Sequence, residues 1–144
     1  EISPYWACES VEGDSLTSED FKGGVVLMDF WYASCFPCLK SIETLKEIEK
    51  AFEGENITIL GVNPFDSGRT VLEFQSKHKI SYELLLGNAL IANAYGVASY
   101  PTFYVVGRKG EVVGKVEGYS ENLKKELTVL LHSALEDNEK GERK

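Results

Sequence analysis

The sequence predicts an α/β domain in which a mixed central sheet is flanked by helices and preceded by an N-terminal extension. Three observations carry this prediction. The chain has 144 residues, the length of one ordinary domain with its own core. Short apolar runs alternate with segments of helical period, as in parallel strands joined by helices. The last two apolar runs are instead joined by the short turn Gly107-Arg108-Lys109-Gly110, which predicts an antiparallel hairpin.

The first part of the chain holds the extension, a strand and a helix. Residues 1–24 are predicted to form a short hairpin or extended lead-in followed by one helical turn. Residues 25–31 are an apolar run interrupted by one acid, which is typical of a central strand buried on both faces. After Cys35, apolar residues recur at spacings of three and four until Gly54, which predicts an amphipathic helix.

The middle of the chain repeats this alternation. Residues 57–62 predict a second buried strand, closed by the turn Asn63-Pro64-Phe65-Asp66. The period of residues 69–79 predicts a second helix. Its predicted packing face consists of Val71, Leu72 and Phe74. Residues 82–86 predict a short strand, and residues 89–95 predict a third helix.

The last part of the chain is predicted to be a hairpin, a helix and a tail. Residues 102–106 and 111–116 are the two hairpin strands. Ser120 is the predicted cap of a helix that runs from about Glu121 to Leu135. Residues 137–144 are predicted to be a charged, frayed tail. We expect one domain over the whole chain, because no composition shift marks a linker.

The composition limits the classes of partner. The net charge of −8, from 23 acidic and 15 basic residues, argues against a nucleic-acid-binding protein. No apolar run approaches the roughly 18 to 20 residues of a membrane-spanning helix. The sequence begins at Glu1 without an initiator Met or a signal-like segment, which indicates a mature or trimmed chain. We expect a monomer whose partners are proteins or small molecules, with room for a membrane anchor outside the given sequence.

Cys35-Phe36-Pro37-Cys38 lies where a predicted strand passes into a helix. Free backbone N–H groups and the macrodipole at a helix N-terminus favour a thiolate, so Cys35 is the predicted nucleophile. Pro37 suits the first helical turn, where its missing N–H is not required. Cys38 follows one turn later, close enough to form a disulfide, and is the predicted resolving thiol.

A metal site and a pair of packed thiols are the alternatives to a redox pair. A structural zinc site normally needs four ligands. Besides the pair, the sequence offers only three isolated residues, namely Cys8, His78 and His132. We therefore predict no metal and no cofactor, and we expect Cys8 to be a bystander. Two reduced thiols that merely pack in the core stay the other alternative.

Asp29 is the acid inside the first predicted strand, six residues before Cys35. Burial raises the pKa of an unpaired carboxyl, and a raised pKa suits a proton shuttle near neutral pH. If its side chain points below the cysteine helix, Asp29 can take the proton from Cys38 as that thiol attacks a mixed disulfide. The alternative is an acid hydrogen-bonded to a neighbouring strand or to a solvent channel.

Ser99-Tyr100-Pro101-Thr102 lies directly before the first hairpin strand. A proline in this position can be cis, and a cis bond exposes the backbone groups of the preceding residue. The motif is a weak signal by itself. It gains weight because it follows the cysteines and opens the hairpin.

Several motifs spread along the chain belong together: Phe30-Trp31, the cysteine motif, Tyr95-Gly96-Val97, Tyr100-Pro101-Thr102 and the hairpin with Gly110. In this combination they resemble the thioredoxin superfamily, and most of all its TlpA/ResA/DsbE-like thiol-disulfide oxidoreductases. The resemblance covers about residues 3 to 135. It implies a thioredoxin-like three-layer sandwich with the N-terminal extension added.

The resemblance also implies an activity, which is dithiol-disulfide exchange. Cys35 would attack, Cys38 would resolve, and Pro101 would be a cis-proline that faces the pair. Tyr100 would then offer its backbone to an extended substrate peptide. The candidate substrate-binding residues are Tyr100, Pro101, Phe36 and Trp31.

Partners and location follow from the same resemblance. We expect cysteine-containing protein substrates and an upstream thiol-disulfide redox partner. The favoured role is a reductant in an extracytoplasmic maturation pathway, such as that of cytochrome c, in a periplasmic or membrane-anchored protein. A cytoplasmic location stays an alternative, and the direction of electron flow is not readable from the residues.

The sequence departs from the family pattern at four places. Ser34 replaces the usual Trp before the first cysteine, so the aromatic cover is changed or is supplied by Trp31, Tyr32 or Phe36. Ser41 and Glu43 replace a glutamate and a kinking proline of the helix, and Gly61 lies where cytosolic thioredoxins commonly carry a lysine. We hypothesise that Asp29 takes the place of the missing glutamate as proton acceptor.

Two other functions are compatible with the fold. A thiol peroxidase is one, but the Pro-x-x-x-Thr-x-x-Cys pattern of peroxiredoxins is absent before Cys35. A redox-inert module or a copper carrier is the other. Related copper carriers space their cysteines one residue wider and add a distal histidine, and the sequence shows neither feature.

Overall fold

The computed structural model describes residues 1–143, with side chains described as far as Glu136. Among these residues seven strands form one sheet: β1 (Ala7–Ser10), β2 (Ser15–Thr17), β3 (Val25–Phe30), β4 (Ile57–Asn63), β5 (Glu83–Leu86), β6 (Thr102–Val106) and β7 (Val112–Glu117). The helices are α1 (Phe36–Ala51), α2 (Gly68–His78), α3 (Ala89–Ala94) and α4 (Leu123–Arg143). The strands lie in the order β2-β1-β5-β4-β3-β6-β7.

The sheet is mixed, as predicted. Its centre consists of β3, β4 and β5, which pair in parallel. Helices α1 and α2 make the crossovers between them, as parallel neighbours require. Strand β6 pairs antiparallel with β3, and β7 pairs antiparallel with β6. The carboxyl ends of β3 and β4 and the amino end of β6 therefore lie at one edge of the sheet.

The N-terminal extension is part of the sheet. Strands β1 and β2 form the predicted hairpin, and a 3-10 turn follows at Ser18–Phe21. The turn is capped by Asp20, whose Oδ2 accepts a hydrogen bond from the Thr17 backbone N–H at 2.8 Å. Strand β1 also pairs antiparallel with β5, about 75 residues further along the chain. This long-range pairing was not predicted, because a four-residue strand carries no signal for a distant partner.

Side chains alternate across β3 and build an apolar cluster on each face of the sheet. Leu27 and Trp31 belong to the cluster that includes residues of α1, α2 and α4. Met28 and Phe30 belong to the cluster on the other face, which includes α3 and the N-terminal Trp6. The result is the predicted three-layer arrangement of helices, sheet and helices. Asp29 lies between Leu27 and Trp31 in this alternation, on the face that α1 covers.

The packing face of α2 differs from the prediction at one position. Val71 is fully buried and Phe74 packs against the same cluster, as predicted. Leu72 is instead 50% exposed, so its prediction was wrong. The reason is helical geometry, since Val71, Phe74 and His78 share one stripe and Leu72 lies about 100° away from Val71.

The C-terminal helix begins two residues later than predicted. Ser120 Oγ accepts a hydrogen bond from the Asn122 backbone N–H at 3.2 Å, and α4 begins at Leu123. Helix α4 continues to Arg143, past the predicted end at Leu135 and through most of the predicted tail, residues 137–144, whose side chains lie outside those the structure describes. Within the described part of the chain, no helix has the length and apolarity to cross a membrane.

Candidate active site

Cys35 and Cys38 are joined by a disulfide at the start of α1. Cys35 is the N-cap residue, and its Sγ accepts a hydrogen bond from the Cys38 backbone N–H at 3.2 Å. Pro37 lies in the first turn, as predicted. Both cysteines are at least 96% buried. The Cys35 sulfur is thus held at the positive end of the helix macrodipole, which favours a thiolate once the disulfide is reduced.

Phe36 stands between these buried cysteines and is 65% exposed. The Lys40 ammonium lies 5.4 Å from the centre of its ring and 5.6 Å from the centre of the Tyr119 ring. Both distances fall within cation–π range. The exposed surface next to the cysteines therefore includes the apolar ring of Phe36 and the cation of Lys40.

Asp29 is buried in β3, on the face of the sheet that α1 covers. Its side chain is 3% exposed, and its Oδ1 has no hydrogen-bond partner among the described residues. Loss of solvation raises the pKa of the Asp29 carboxyl to about 8. The sequence also allowed an acid that is hydrogen-bonded to a neighbouring strand. Asp29 Oδ1 makes no such hydrogen bond to a described residue.

Gly61 lies opposite Asp29 in the parallel register of β3 and β4. A Cβ at this position would lie 2.7 Å from Leu84 Cδ2, 3.1 Å from Trp31 Nε1 and 3.4 Å from Tyr82 Cε1. The space that a lysine side chain would need is therefore filled by the Trp31 indole and the Tyr82 ring. Trp31 Nε1 is buried without a hydrogen-bond partner among the described residues. A donor, Trp31 Nε1–H, and an acceptor, Asp29 Oδ1, therefore both lie unpaired near Gly61.

Trp31 lies below the surface rather than on it. Its side chain is 4% exposed, and its ring packs 4.6 Å from the Phe74 ring, centre to centre. Direct contact with a substrate needs exposed area, so this position favours a packing role over the predicted substrate contact. Ser34 has no aromatic ring to cover the cysteines. The half-buried Tyr32 and the exposed Phe36 supply aromatic rings next to it in the chain.

Ser41 occupies the position of the family glutamate and is fully buried. Its hydroxyl donates a hydrogen bond to the Cys38 carbonyl oxygen at 2.8 Å. A serine hydroxyl that already donates a hydrogen bond to the helix backbone is a poor proton acceptor. Asp29 is a buried acid on the sheet face that α1 covers. This arrangement supports the hypothesis that Asp29 replaces the missing glutamate.

Asp66 ties the loop before Cys35 to the loop after β4. Its Oδ2 accepts hydrogen bonds from the Ala33 backbone N–H at 2.7 Å and from Asn63 Nδ2 at 2.8 Å. Asn63 is buried, and its Oδ1 accepts hydrogen bonds from the backbone N–H groups of Phe65 and Asp66 at 3.0 and 2.9 Å. The sequence indicated only a turn here, because an acid 33 residues from its partner leaves no local signal.

Three aromatic side chains meet at the same edge of the sheet, and we call them the aromatic rim: Tyr32, Phe65 and Tyr100. The ring centres of Tyr32 and Phe65 are 5.6 Å apart, and each lies 5.5 or 5.3 Å from the centre of Tyr100. All three contacts are edge-to-face, a favourable geometry for aromatic pairs. Tyr32 and Phe65 were not predicted as substrate contacts.

The Tyr100–Pro101 peptide bond is cis. Pro101 is buried, and its carbonyl accepts a hydrogen bond from the Gly118 backbone N–H at 2.8 Å. The Thr102 hydroxyl donates a hydrogen bond to the Ser99 carbonyl at 2.7 Å and closes the loop. The loop thus brings Tyr100, the predicted substrate contact, to the aromatic rim.

Cys8 lies apart from the pair, on β1, where it packs against the cluster on the opposite face of the sheet. Burial raises the pKa of the Cys8 thiol. Among the described side chains, no group of three or more His, Cys, Asp or Glu could hold a metal ion.

Comparison with known proteins gives a consistent set of relatives. The model of the AhpC/TSA family matches residues 3–115. The thiol-disulfide oxidoreductase ResA of Halalkalibacterium halodurans is 26% identical over 126 residues, which cover 85% of this chain and 71% of the relative. ResA of Bacillus subtilis is 27% identical over 117 residues, which cover 81% of this chain and 65% of the relative.

Solved structures match the fold over nearly the whole chain. A Chlorobium tepidum protein assigned as thiol:disulfide interchange protein DsbE superposes with a TM-score of 0.87 at 22% identity, over 94% of this chain and 96% of its own. The thioredoxin domain of a Bacteroides vulgatus thiol-disulfide oxidoreductase gives a TM-score of 0.81 at 24% identity, over 91% of this chain and 96% of its own. The thioredoxin-like fold expected from the sequence is confirmed.

Proposed function

This chain belongs to the AhpC/TSA family and is a thiol-disulfide oxidoreductase of thioredoxin-like fold, and we propose that it reduces disulfides of protein substrates. The observation that carries the proposal is the Cys35–Cys38 disulfide at the N-terminus of α1, which covers the sheet face that holds the buried Asp29 carboxyl. The disulfide is the oxidised form of the pair, and the dithiol, with two more electrons, is the reduced form.

The proposed reaction has two steps. The Cys35 thiolate attacks one sulfur of a substrate disulfide, forms a mixed disulfide, and releases the other substrate sulfur as a thiolate. Cys38 then loses its proton and attacks Cys35 Sγ, which restores the Cys35–Cys38 disulfide and releases the second substrate sulfur. The substrate gains two electrons and the chain loses two, so an upstream dithiol must return them before the next cycle.

Asp29 is proposed as the acceptor of the Cys38 proton. An unperturbed thiol has a pKa near 8.5, and burial brings the pKa of the Asp29 carboxyl to about 8. Two groups with matched pKa values exchange a proton at little cost in free energy, which is the condition for efficient general base catalysis. An ordinary surface aspartate would be too weak a base for this step.

Substrate binding is proposed for three residues near the disulfide. Phe36 and Tyr100 present exposed or half-exposed rings, and Pro101 precedes the edge where a peptide backbone could pair. The proposed substrates are cysteine pairs of proteins that mature outside the cytoplasm, such as those of cytochrome c. The resemblance to ResA and DsbE supports this part of the proposal.

The experiment is a measurement of reduction potential together with an insulin-reduction assay. We expect a Cys35–Cys38 potential of ~−270 mV, as in reductants of this fold, whereas a value of ~−120 mV would overturn the reducing direction. Cys35→Ser is expected to abolish insulin reduction. Cys8→Ser is the matched control and is expected to retain it, because Cys8 lies on the opposite face. Cys35-dependent consumption of hydrogen peroxide without insulin reduction would instead favour the peroxidase.

A further inference from the structure

The aromatic rim is an exposed apolar surface beside the redox disulfide. Its central ring, Phe65, is 62% exposed, which is unusual for a phenylalanine. Each of its residues comes from a different loop, and the loops meet at the edge of the sheet where α1 begins. Such clusters of exposed aromatic side chains mark sites of contact with other proteins.

The rim lies at a defined distance from the nucleophile. The Cys35 backbone N–H donates a hydrogen bond to the Tyr32 carbonyl at 3.2 Å, so residues 32–35 form a turn. In such a turn the first and last Cα atoms are within about 7 Å of each other. An extended peptide advances about 3.3 Å per residue. A peptide whose cysteine meets Cys35 therefore brings a side chain two or three residues away over the rim.

The rim is held rigidly in place before any partner binds. Asp66 fixes the Ala33 backbone on one side, and the Asn63 amide fixes the loop that carries Phe65 on the other. A surface ordered in advance loses little entropy when it binds, so its contact area contributes more fully to affinity.

The local charge limits what the rim can accept. The chain has a net charge of −8, yet Lys40 is the only charged residue in the segment 30–42. The described acid at this edge, Asp66, is engaged by two internal N–H donors. The rings of the rim thus lie between one cation, Lys40, and one hydrogen-bonded carboxylate, Asp66, so the contact that they offer is to a large apolar side chain.

We propose that the aromatic rim is a docking surface for the substrate polypeptide, and that it binds a large apolar side chain located two or three residues from the cysteine that Cys35 attacks. This inference rests on the proposed function and names the specificity of the same site. Phe65 is the specificity-determining residue, because it is the most exposed of the three rings.

The test compares two peptides that carry one cysteine as a mixed disulfide with glutathione. One peptide has Phe two residues from the cysteine and the other has Ser there, and bis(2-hydroxyethyl) disulfide is the small substrate without a side chain to dock. For the unaltered protein we expect kcat/KM to be about tenfold higher for the Phe peptide than for the Ser peptide. Phe65→Ala is expected to remove that preference and to leave reduction of the small disulfide unchanged.

Leu90→Ala is the matched control, since Leu90 is 78% exposed on α3, which packs on the opposite face of the sheet. It is expected to leave the preference for the Phe peptide intact. Equal kcat/KM for the two peptides in the unaltered protein would overturn the inference, and so would a loss in Phe65→Ala that extends equally to the small disulfide.

A binding measurement separates this inference from the proposed function. The same peptides with Ser in place of Cys are titrated into the oxidised protein and followed by fluorescence anisotropy. Tighter binding of the Phe peptide that disappears in Phe65→Ala supports the docking surface even if the protein reduces no disulfide. Failure to reduce insulin and both peptides overturns the proposed function alone.

Discussion

Two aspartates on the segments around the cysteine motif have opposite surroundings. Asp29, in β3, is buried with an oxygen that has no described partner, and its pKa is raised to about 8. Asp66, beside the loop that leads to Cys35, is half-exposed, and one of its oxygens accepts two hydrogen bonds. The same type of side chain is proposed as a proton acceptor at position 29, whereas at position 66 it accepts hydrogen bonds that hold two loops together.

The difference shows how solvation and partners assign a role to a carboxyl group. Desolvation without a compensating donor stabilises the protonated form and keeps the group ready to exchange a proton near neutral pH. N–H donors aimed at an oxygen instead fix the geometry of the segments that carry them. Substitutions at Asp29 and Asp66 should therefore have different effects.

The largest expected effect is on the pH dependence of stability. Below pH 3.8 Asp29 is protonated in the folded and unfolded chains alike; above that pH the unfolded chain ionises while the folded chain keeps its proton up to about pH 8. Stability therefore falls as the pH rises from about 4 to 8, by roughly 4 kcal/mol at pH 7. Asp29→Asn cannot ionise and therefore removes this pH-dependent loss of stability, although burial of its unpaired amide destabilises the folded chain. We expect the variant to be more stable than the unaltered protein by roughly 3 kcal/mol at pH 8.

Urea unfolding of the oxidised protein at pH 5 and pH 8 measures this effect. Asp14→Asn, in the exposed β1–β2 turn, is the control and should follow the unaltered protein at both pH values. An equal loss of stability between pH 5 and pH 8 in Asp29→Asn and in the unaltered protein would show that Asp29 does not hold its proton in the folded chain.

The next effect is on the second chemical step. Without an acceptor for the Cys38 proton, Asp29→Asn is expected to slow the resolution of the mixed disulfide about 10²-fold at pH 8. The mixed disulfide should then accumulate, which rapid acid quench and mass spectrometry detect. Asp66→Asn is expected to slow the same step no more than about threefold, because its amide oxygen still accepts a hydrogen bond. The division of roles fails if both variants slow resolution equally.

The smallest effect is on the folding free energy that Asp66 contributes. Asp66→Ala leaves the Ala33 N–H and the Asn63 amide without their acceptor, and we expect a loss of roughly 2 kcal/mol. Asp66→Asn keeps one acceptor oxygen and should lose about half as much. Urea unfolding at pH 7 measures both. Identical losses for the two variants would indicate that the hydrogen bonds to Ala33 and Asn63 do not carry the effect.

The sequence was informative wherever the relevant contacts are local. The cysteine spacing, the proline in the first turn of α1 and the helical period each depend on residues within one or two turns of one another. Asp29 was also recognisable, because an acid inside a buried apolar strand has few explanations. The hairpin and the mixed sheet followed from the same local patterns.

Contacts between distant segments were not readable in this way. Ala33 and Asp66 are 33 residues apart, and the rings of Tyr32, Phe65 and Tyr100 come from three loops that only the finished sheet brings together. The filling of the space over Gly61 by Tyr82 depends on the register of two parallel strands. Trp31 shares an apolar cluster with both cysteines, but its burial depends on α2, whose Phe74 packs against it.

The pairing of β1 with β5 has a consequence for behaviour at high concentration. Without it, β5 would end the sheet and would present its unpaired backbone groups to any other chain that could add a strand. With it, the outermost strand on that side is β2, which is three residues long. A border this short offers few hydrogen bonds to an incoming strand, so the extension protects the sheet against self-association.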